Sequence, residues 1–145
     1  MIAIDTNLLV YAHRSDAECH ESAKRSLCQL AEKGVRWTIP WPCVHEFISV
    51  TTHARIYDPP SPINLALDAI ESWLESPNCI ATGEGFHYFD TLKRLALKGN
   101  IRGPMIHDTR IAAICLENGI TELWTADRDF SRFGQLKTYN PLAID

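Results

Sequence analysis

No apolar run in this chain is long enough to span a membrane, and the N-terminal apolar stretch meets Asp5 at once, too early for a secretory signal. A cytoplasmic protein is the expectation. No two cysteines have CxxC spacing. The five present, Cys19, Cys28, Cys43, Cys79 and Cys115, are odd in number and several fall in apolar patterns, so buried reduced thiols are expected. The histidines form no HxH or HExxH pair, which leaves a zinc site little support. GxSxG, the P-loop and GxGxxG are all missing, which removes the usual serine-hydrolase, NTPase and dinucleotide readings. There is no internal repeat, low-complexity tract or dividing linker. A length of 145 residues then predicts one domain over 1–145, large enough for a proper core. Composition, 46% hydrophobic and 22% charged, suits a globular protein.

What the chain does have is an alternation of short strands and helices. Met1 to Ile4 is near-continuously apolar, as a parallel strand buried on both faces should be. A short helix carrying Leu8, Leu9, Tyr11 and Ala12 follows, then a longer one over about Glu18 to Lys33, stopped by Gly34. Arg36 to Ile39 reads as a strand closed by Pro40 and Pro42, with helical spacing from Val44 to about His53. Asp58-Pro59-Pro60-Ser61-Pro62 is a loop, because prolines cannot continue a helix. An amphipathic helix is predicted over Ile63 to Leu74, with Leu67, Ile70 and Leu74 on one face. It and the loop before it are candidates for a groove wall, a dimer contact or a partner-binding surface. A strand at Cys79 to Ala81 and helices over Glu84 to Leu97 and Ile106 to Asn118 come next. Strands at Glu122 to Thr125 and near Thr138-Tyr139 complete the chain. Such alternation implies a parallel sheet with helices on both faces.

Four acidic residues drawn from distant segments stand out: Asp5, Glu46, Asp108 and Asp127. Asp5 and Asp127 directly follow strands, so both belong at the carboxyl edge of the sheet, where open α/β sheets bind ligands. Asp108 shares a helix face with Ile111, Ala112 and Cys115, so it tops a buried stripe at a helix N-terminus, where the macrodipole favours an anion. Glu46 flanks the Val44/Phe47/Ile48 stripe, and its direction is not fixed by pattern. Carboxylates gathered this way repel unless they bind protons or cations, so a divalent-metal site is expected.

Each acid also has an ordinary explanation. Asp5 is a natural helix cap, Glu46 a solvated helix residue, Asp108 a first-turn acid, and Asp127 and Asp129 turn residues. His107 reads first as a locally bonded helix-start residue and second as a phosphate contact. Trp37, Trp41 and Trp73 read first as packing residues and second as base-stacking platforms. The convergence of three acids on one edge by independent routes favours the site.

Ile4-Asp5-Thr6-Asn7, His107-Asp108 through Ile111-Ala112-Ala113, and Leu123-Trp124-Thr125-Ala126-Asp127-Arg128-Asp129-Phe130, in this order, resemble a PIN domain. The likeness is greatest to the ribonuclease toxins of VapBC-type toxin–antitoxin modules and runs over essentially the full length. It implies a three-layer α/β/α sandwich with a central, mostly parallel sheet. It further implies Mg²⁺- or Mn²⁺-dependent endoribonuclease activity, a homodimer, and a cognate antitoxin that blocks the groove. Asp5, Glu46, Asp108 and Asp127 match the family's four acidic positions, as catalytic residues and metal ligands. Asp129 matches an auxiliary acid, and Thr6, Asn7 and Thr125 match polar positions that orient metal, water or the acids.

Net charge is −4, an unusual sign for an RNA-cutting enzyme. Bound cations would offset much of the cluster, and local basic patches remain available. Arg14, Lys93, Arg94, Lys98, Arg102, Arg110, Arg128 and Arg132 are the candidate phosphate contacts, on RNA with exposed single-stranded loops. Three rival readings use the same residues. One is a PIN-type nuclease of RNA maturation or DNA processing. Another is a receiver-like phosphotransfer domain, which lacks its strand-end lysine here. The last is a protein-binding module whose acids only cap helices.

Overall fold

The structure, a computed structural model, describes residues 1–142, so the last three positions of the expected domain lie outside the described residues. Five strands and six helices alternate. They are β1 (Ile2–Ile4), α1 (Thr6–His13), α2 (His20–Glu32), β2 (Trp37–Pro40), α3 (Trp41–Thr51), α4 (Ile63–Leu74) and β3 (Cys79–Thr82). After these come α5 (Tyr88–Lys98), α6 (Met105–Glu117), β4 (Glu122–Trp124), a 3₁₀ turn (Arg128–Arg132) and β5 (Lys137–Tyr139).

All five strands are parallel, in the order β3-β2-β1-β4-β5. Right-handed crossovers place α1 to α4 on one face and α5 and α6 on the other. Packing agrees: α1 contacts α2 and α3, α3 contacts α4, and α5 contacts α6. The expected α/β/α sandwich is the observed architecture, with an entirely parallel sheet. The connections from β1 and to β4 leave on opposite faces, so a crevice opens between these two strands at their carboxyl ends. Their register pairs Ile4 with Trp124 and brings Asp5 and Thr125 side by side.

The interior is built from Ala3, Ile4, Leu8, Leu9, Ile39, Phe47, Ile111 and Leu123, each fully or nearly fully buried. Burying such a side chain stabilises the fold by about 1.5–3 kcal/mol. In α6 the run Ile111–Cys115 is buried all round, because the sheet covers one side and α5 the other. The stripe beneath Asp108 is therefore wider than the sequence pattern required. Cys43, Cys79 and Cys115 are buried free thiols as expected, whereas Cys28 is exposed on α2 and Cys19 only partly covered.

Three local expectations change. Pro40 ends β2 and Pro42 lies in the first turn of α3, where its missing N–H has no role, so the helix begins at Trp41. In α4 the buried positions are Ala66 and Ile70, while Leu67 is 48% exposed. The phase of α4 is set by its packing on α3 and β3, with Trp73 edge-on to Phe47 at 5.4 Å. Helix α5 starts at Tyr88 instead of Glu84, because the Glu117 carboxylate holds the N–H groups of Gly85 and His87 at 2.8 and 3.0 Å. Glu84 is drawn aside by Arg110. None of the described helices is long and apolar enough to cross a membrane.

Candidate active site: a carboxylate cleft at the sheet edge

Asp5 leaves β1 with its N–H bonded to the Trp124 carbonyl at 3.0 Å, which extends the β1–β4 ladder by one residue. Its side chain is 5% exposed. One carboxylate oxygen accepts the Thr6 N–H at 2.8 Å and so caps α1. The other accepts the Thr125 hydroxyl at 2.6 Å and the Asn7 side-chain amide at 3.4 Å. The capping role and a place in the cluster therefore coexist in one residue. Burial pushes the Asp5 pKa up to about 6, against the lowering effect of the Thr125 and Thr6 hydrogen bonds; the charges of Glu46 and Asp108 push it further up.

Asp108 stands in the first turn of α6, half-buried. Its pKa is also raised, first by burial and then by Asp127, Asp129 and Glu46, with Arg132 acting the other way. Asp127 follows β4 and caps the 3₁₀ turn by accepting the Asp129 N–H at 2.9 Å. Carboxylate oxygens of Asp108, Asp127 and Asp129 lie within 4.8 Å of one another. Asp129, expected as an auxiliary acid, thus belongs to the tightest group of carboxylates among the described residues. Glu46 points from α3 toward the same place, exposed, and accepts the Thr6 hydroxyl at 3.2 Å.

Asp5, Glu46, Asp108 and Asp127 line one cleft of about 260 Å³, together with Thr6 and Asn7. Val10, Tyr11, Val50 and Tyr57 line it as well, none of them a site candidate from sequence. Val10 and Tyr11 stand one helical turn beyond Thr6 and Asn7, a spacing that could have identified them. Tyr57 comes from a loop and carried no such signal. The Arg14 guanidinium stacks on its ring at 4.3 Å and is also paired with Asp16.

The polar residues tie the acids together. Thr125 joins Asp5 to the backbone of Asp127, whose N–H it accepts at 2.9 Å. Asn7 bonds Asp5 with its amide nitrogen and accepts the Ala126 N–H with its oxygen at 3.3 Å. His107 is outside the main cleft; it is exposed in a neighbouring depression with His45, Arg110, Glu46 and Asp108. Trp37 is buried and Trp73 packs on Phe47, which leaves only Trp41 of the three indoles substantially exposed.

The donor set is all oxygen, crowded and anionic, which suits a hard divalent cation better than zinc or copper. Among the described residues the one cation within salt-bridge range of the trio is Arg132, whose guanidinium is 3.9 Å from Asp129. The residues present therefore fit a metal ion.

A family profile for the PIN domain matches residues 2–136. A VapC ribonuclease of Mycobacterium bovis, Mb2897, is 33% identical over 142 residues, covering 98% of this chain and 96% of the relative. Ribonuclease VapC25 of Mycobacterium tuberculosis is 29% identical, covering 97% and 99%. Among solved structures, VapBC2 of Rickettsia felis, bound to a DNA fragment from its promoter, matches with a TM-score of 0.66 at 22% identity over 97% of this chain and 98% of that one. VapC20 of Mycobacterium tuberculosis, described as a sarcin-ricin loop cleaving toxin, matches with a TM-score of 0.68 at 16% identity over 92% and 95%. At these identities the solved structures bear on the fold alone.

Proposed function

The chain belongs to the PIN-domain family, and on that premise we propose that it is the ribonuclease toxin of a VapBC-type toxin–antitoxin pair, hydrolysing RNA phosphodiester bonds at its carboxylate cleft. The observation that carries this reading is the convergence of Asp5, Glu46, Asp108 and Asp127, from four separate segments, on one cleft at the β1–β4 crevice. The unit is one nuclease domain acting in the cytoplasm as a homodimer. Its partner is a cognate antitoxin that covers the cleft, and its substrate is RNA with an exposed single-stranded loop.

The cofactor of this reading is Mg²⁺ or Mn²⁺, held by Asp108 and Asp127 with Asp5, Asp129 and Glu46 around them. When bound, it supplies charge neutralisation, polarisation of a phosphoryl oxygen and acidification of water. The protein's own contribution is positional. Asp5 is fixed by four donors, from Thr6, Thr125, Asn7 and the Cys43 thiol, so its charge cannot swing away from the cleft. Thr125 transmits that fixed position to the start of the Asp127 turn. Glu46 is exposed and held at a single point by Thr6, which leaves its remaining oxygen to accept a proton from the attacking water. Tyr11 and Tyr57 line the same cleft as the acids.

The test is cleavage of a mixed RNA pool by the purified protein in Mg²⁺ or Mn²⁺ against EDTA, with Asp5→Asn as control. Metal-dependent cutting that the variant lacks is the expected result. Equal cutting by both proteins, or cutting that survives EDTA, would overturn the assignment.

A further inference from the structure

The carboxylate cleft repels the polyanion it is proposed to cut, and the whole chain carries −4, so substrate affinity has to come from cations beside the cleft. Two of the basic candidates are neutralised by acids outside the carboxylate cluster: Arg14 pairs with Asp16, and Arg110 with Glu84. A cavity of about 210 Å³ between the end of α5 and the loop before β5 collects three others, Arg94, Lys98 and Arg132. No carboxylate lines it. Arg94 and Lys98 are four residues apart on the exposed side of α5, whose core face carries Thr91 and Leu95. Among the described residues neither of them makes a salt bridge. Gly134 and Gln135 form the opposite rim, at the centre of a turn closed by the Leu136 N–H on the Phe133 carbonyl at 2.9 Å. A Cβ built on Gly134 meets nothing within 4 Å, so the rim is open to a ligand.

Arg132 connects this cavity to the acids. It lines the cavity, donates through Nε to the Asp129 carbonyl at 3.0 Å, and stands 3.9 Å from the Asp129 carboxylate. A cationic depression thus begins where the tight carboxylate trio ends. We infer that the Arg94–Lys98–Arg132 cavity is a phosphate subsite that seats a backbone phosphate of single-stranded RNA next to the nucleotides held in the cleft. This subsite rests on the nuclease reading for its substrate. A strand lying across the 3₁₀ turn has its scissile phosphate among the carboxylates and a neighbouring phosphate among the cations. The contact is with backbone, so it supplies affinity and direction without reading sequence.

The test uses the full chain with Arg94→Ala/Lys98→Ala, and Arg25→Ala/Lys33→Ala, on α2 and at its C-cap, as a charge-matched control. Binding of a labelled mixed-sequence single-stranded RNA is titrated against salt in the Asp5→Asn background, so that nothing is cut. Loss of the one phosphate contact should flatten the log K against log [salt] slope by about 0.7 on single-stranded RNA. The control should keep its slope. In the otherwise wild-type enzyme the same pair should raise KM and leave kcat unchanged, and Arg94→Lys/Lys98→Arg should restore both slope and KM. An RNA slope equal to the control's would overturn the subsite, including the case in which the variant loses an acidic protein partner instead. Failure of the nuclease reading is separately visible: wild-type protein then cuts no RNA, whatever the binding slopes show.

Discussion

The hydroxyl of Thr125 donates to Asp5 at 2.6 Å while accepting the N–H of Asp127 at 2.9 Å, so one side chain sets the spacing of two acids that are 122 positions apart (127 − 5). Thr125 is itself buried, which shields both bonds from bulk solvent. Thr125→Val keeps the shape and removes both bonds. Without that donor Asp5 holds its proton more firmly and the Asp127 turn loses its tether. Outer-shell changes of this kind cost roughly 10–100-fold in metal affinity or activity. Thr125→Ser should recover most of the loss. Calorimetric titration with Mg²⁺ and single-turnover RNA cleavage check both expectations; a fully active Thr125→Val protein would remove Thr125 from the machinery.

The mutual repulsion of Asp108, Asp127 and Asp129 predicts an inverse relation between stability and function. Neutralising one of them in the metal-free protein relieves like-charge repulsion, which adds to burial in raising the pKa of Asp108. Asp108→Asn and Asp127→Asn should therefore hold or raise Tm in EDTA while abolishing cleavage. Asp129 is the outermost of the three and lies beside Arg132, so Asp129→Asn should cut well only at elevated Mg²⁺. Thermal melts with and without Mg²⁺ test the set. A lower Tm for Asp108→Asn in EDTA would show that the acids are held by attractive contacts, against the cluster as described.

Acid should move stability and activity in opposite directions through Asp5. Its folded pKa is about 6 against an ordinary 3.8, so between these values the folded state binds more protons than the unfolded one. The metal-free protein gains stability from this group as pH falls through that window and loses it as pH rises, up to about 3 kcal/mol for a shift of roughly two pH units. Metal binding requires the ionised carboxylate, so cation-dependent stabilisation and cleavage should weaken below about pH 6. The difference in melting temperature between wild type and Asp5→Asn, followed from pH 4 to 8 in EDTA, isolates the group. A difference that does not change with pH would show that Asp5 keeps an ordinary pKa.

Much of this was legible in the sequence because strand ends and helix stripes are local. Asp5 and Asp127 had to reach the carboxyl edge once Ile2–Ile4 and Glu122–Trp124 were strands, and Asp108 had to sit above Ile111 and Cys115. What stayed hidden depends on contacts between distant segments. The direction of Glu46 is fixed by Thr6, forty residues earlier, and the start of α5 by Glu117, about thirty residues later. Tyr57 reaches the cleft from a loop with no periodicity, beneath an arginine that stacks on it. The phase of α4 likewise follows from Phe47 and Trp73, which pattern alone placed no better than Leu67.

Glu46 differs from the other acids in its surroundings, and that difference separates base from ligand. It is exposed, it stands outside the trio of carboxylates within 4.8 Å, and its recorded hydrogen bond is from the Thr6 hydroxyl. On the proposed nuclease reading, a residue so placed would contribute to proton transfer more than to holding the cation. Glu46→Gln should therefore lower kcat by roughly 10²–10⁴-fold, the usual worth of a general base, with Mg²⁺ affinity changed only a few-fold. Asp108→Asn should instead lose Mg²⁺ affinity outright. Thr6→Val frees Glu46 to rotate away from the cleft, which should reduce kcat with KM unchanged. The three variants are compared by single-turnover cleavage across a Mg²⁺ series. If Glu46→Gln is rescued by raising Mg²⁺, Glu46 is a metal ligand and proton abstraction falls to another group.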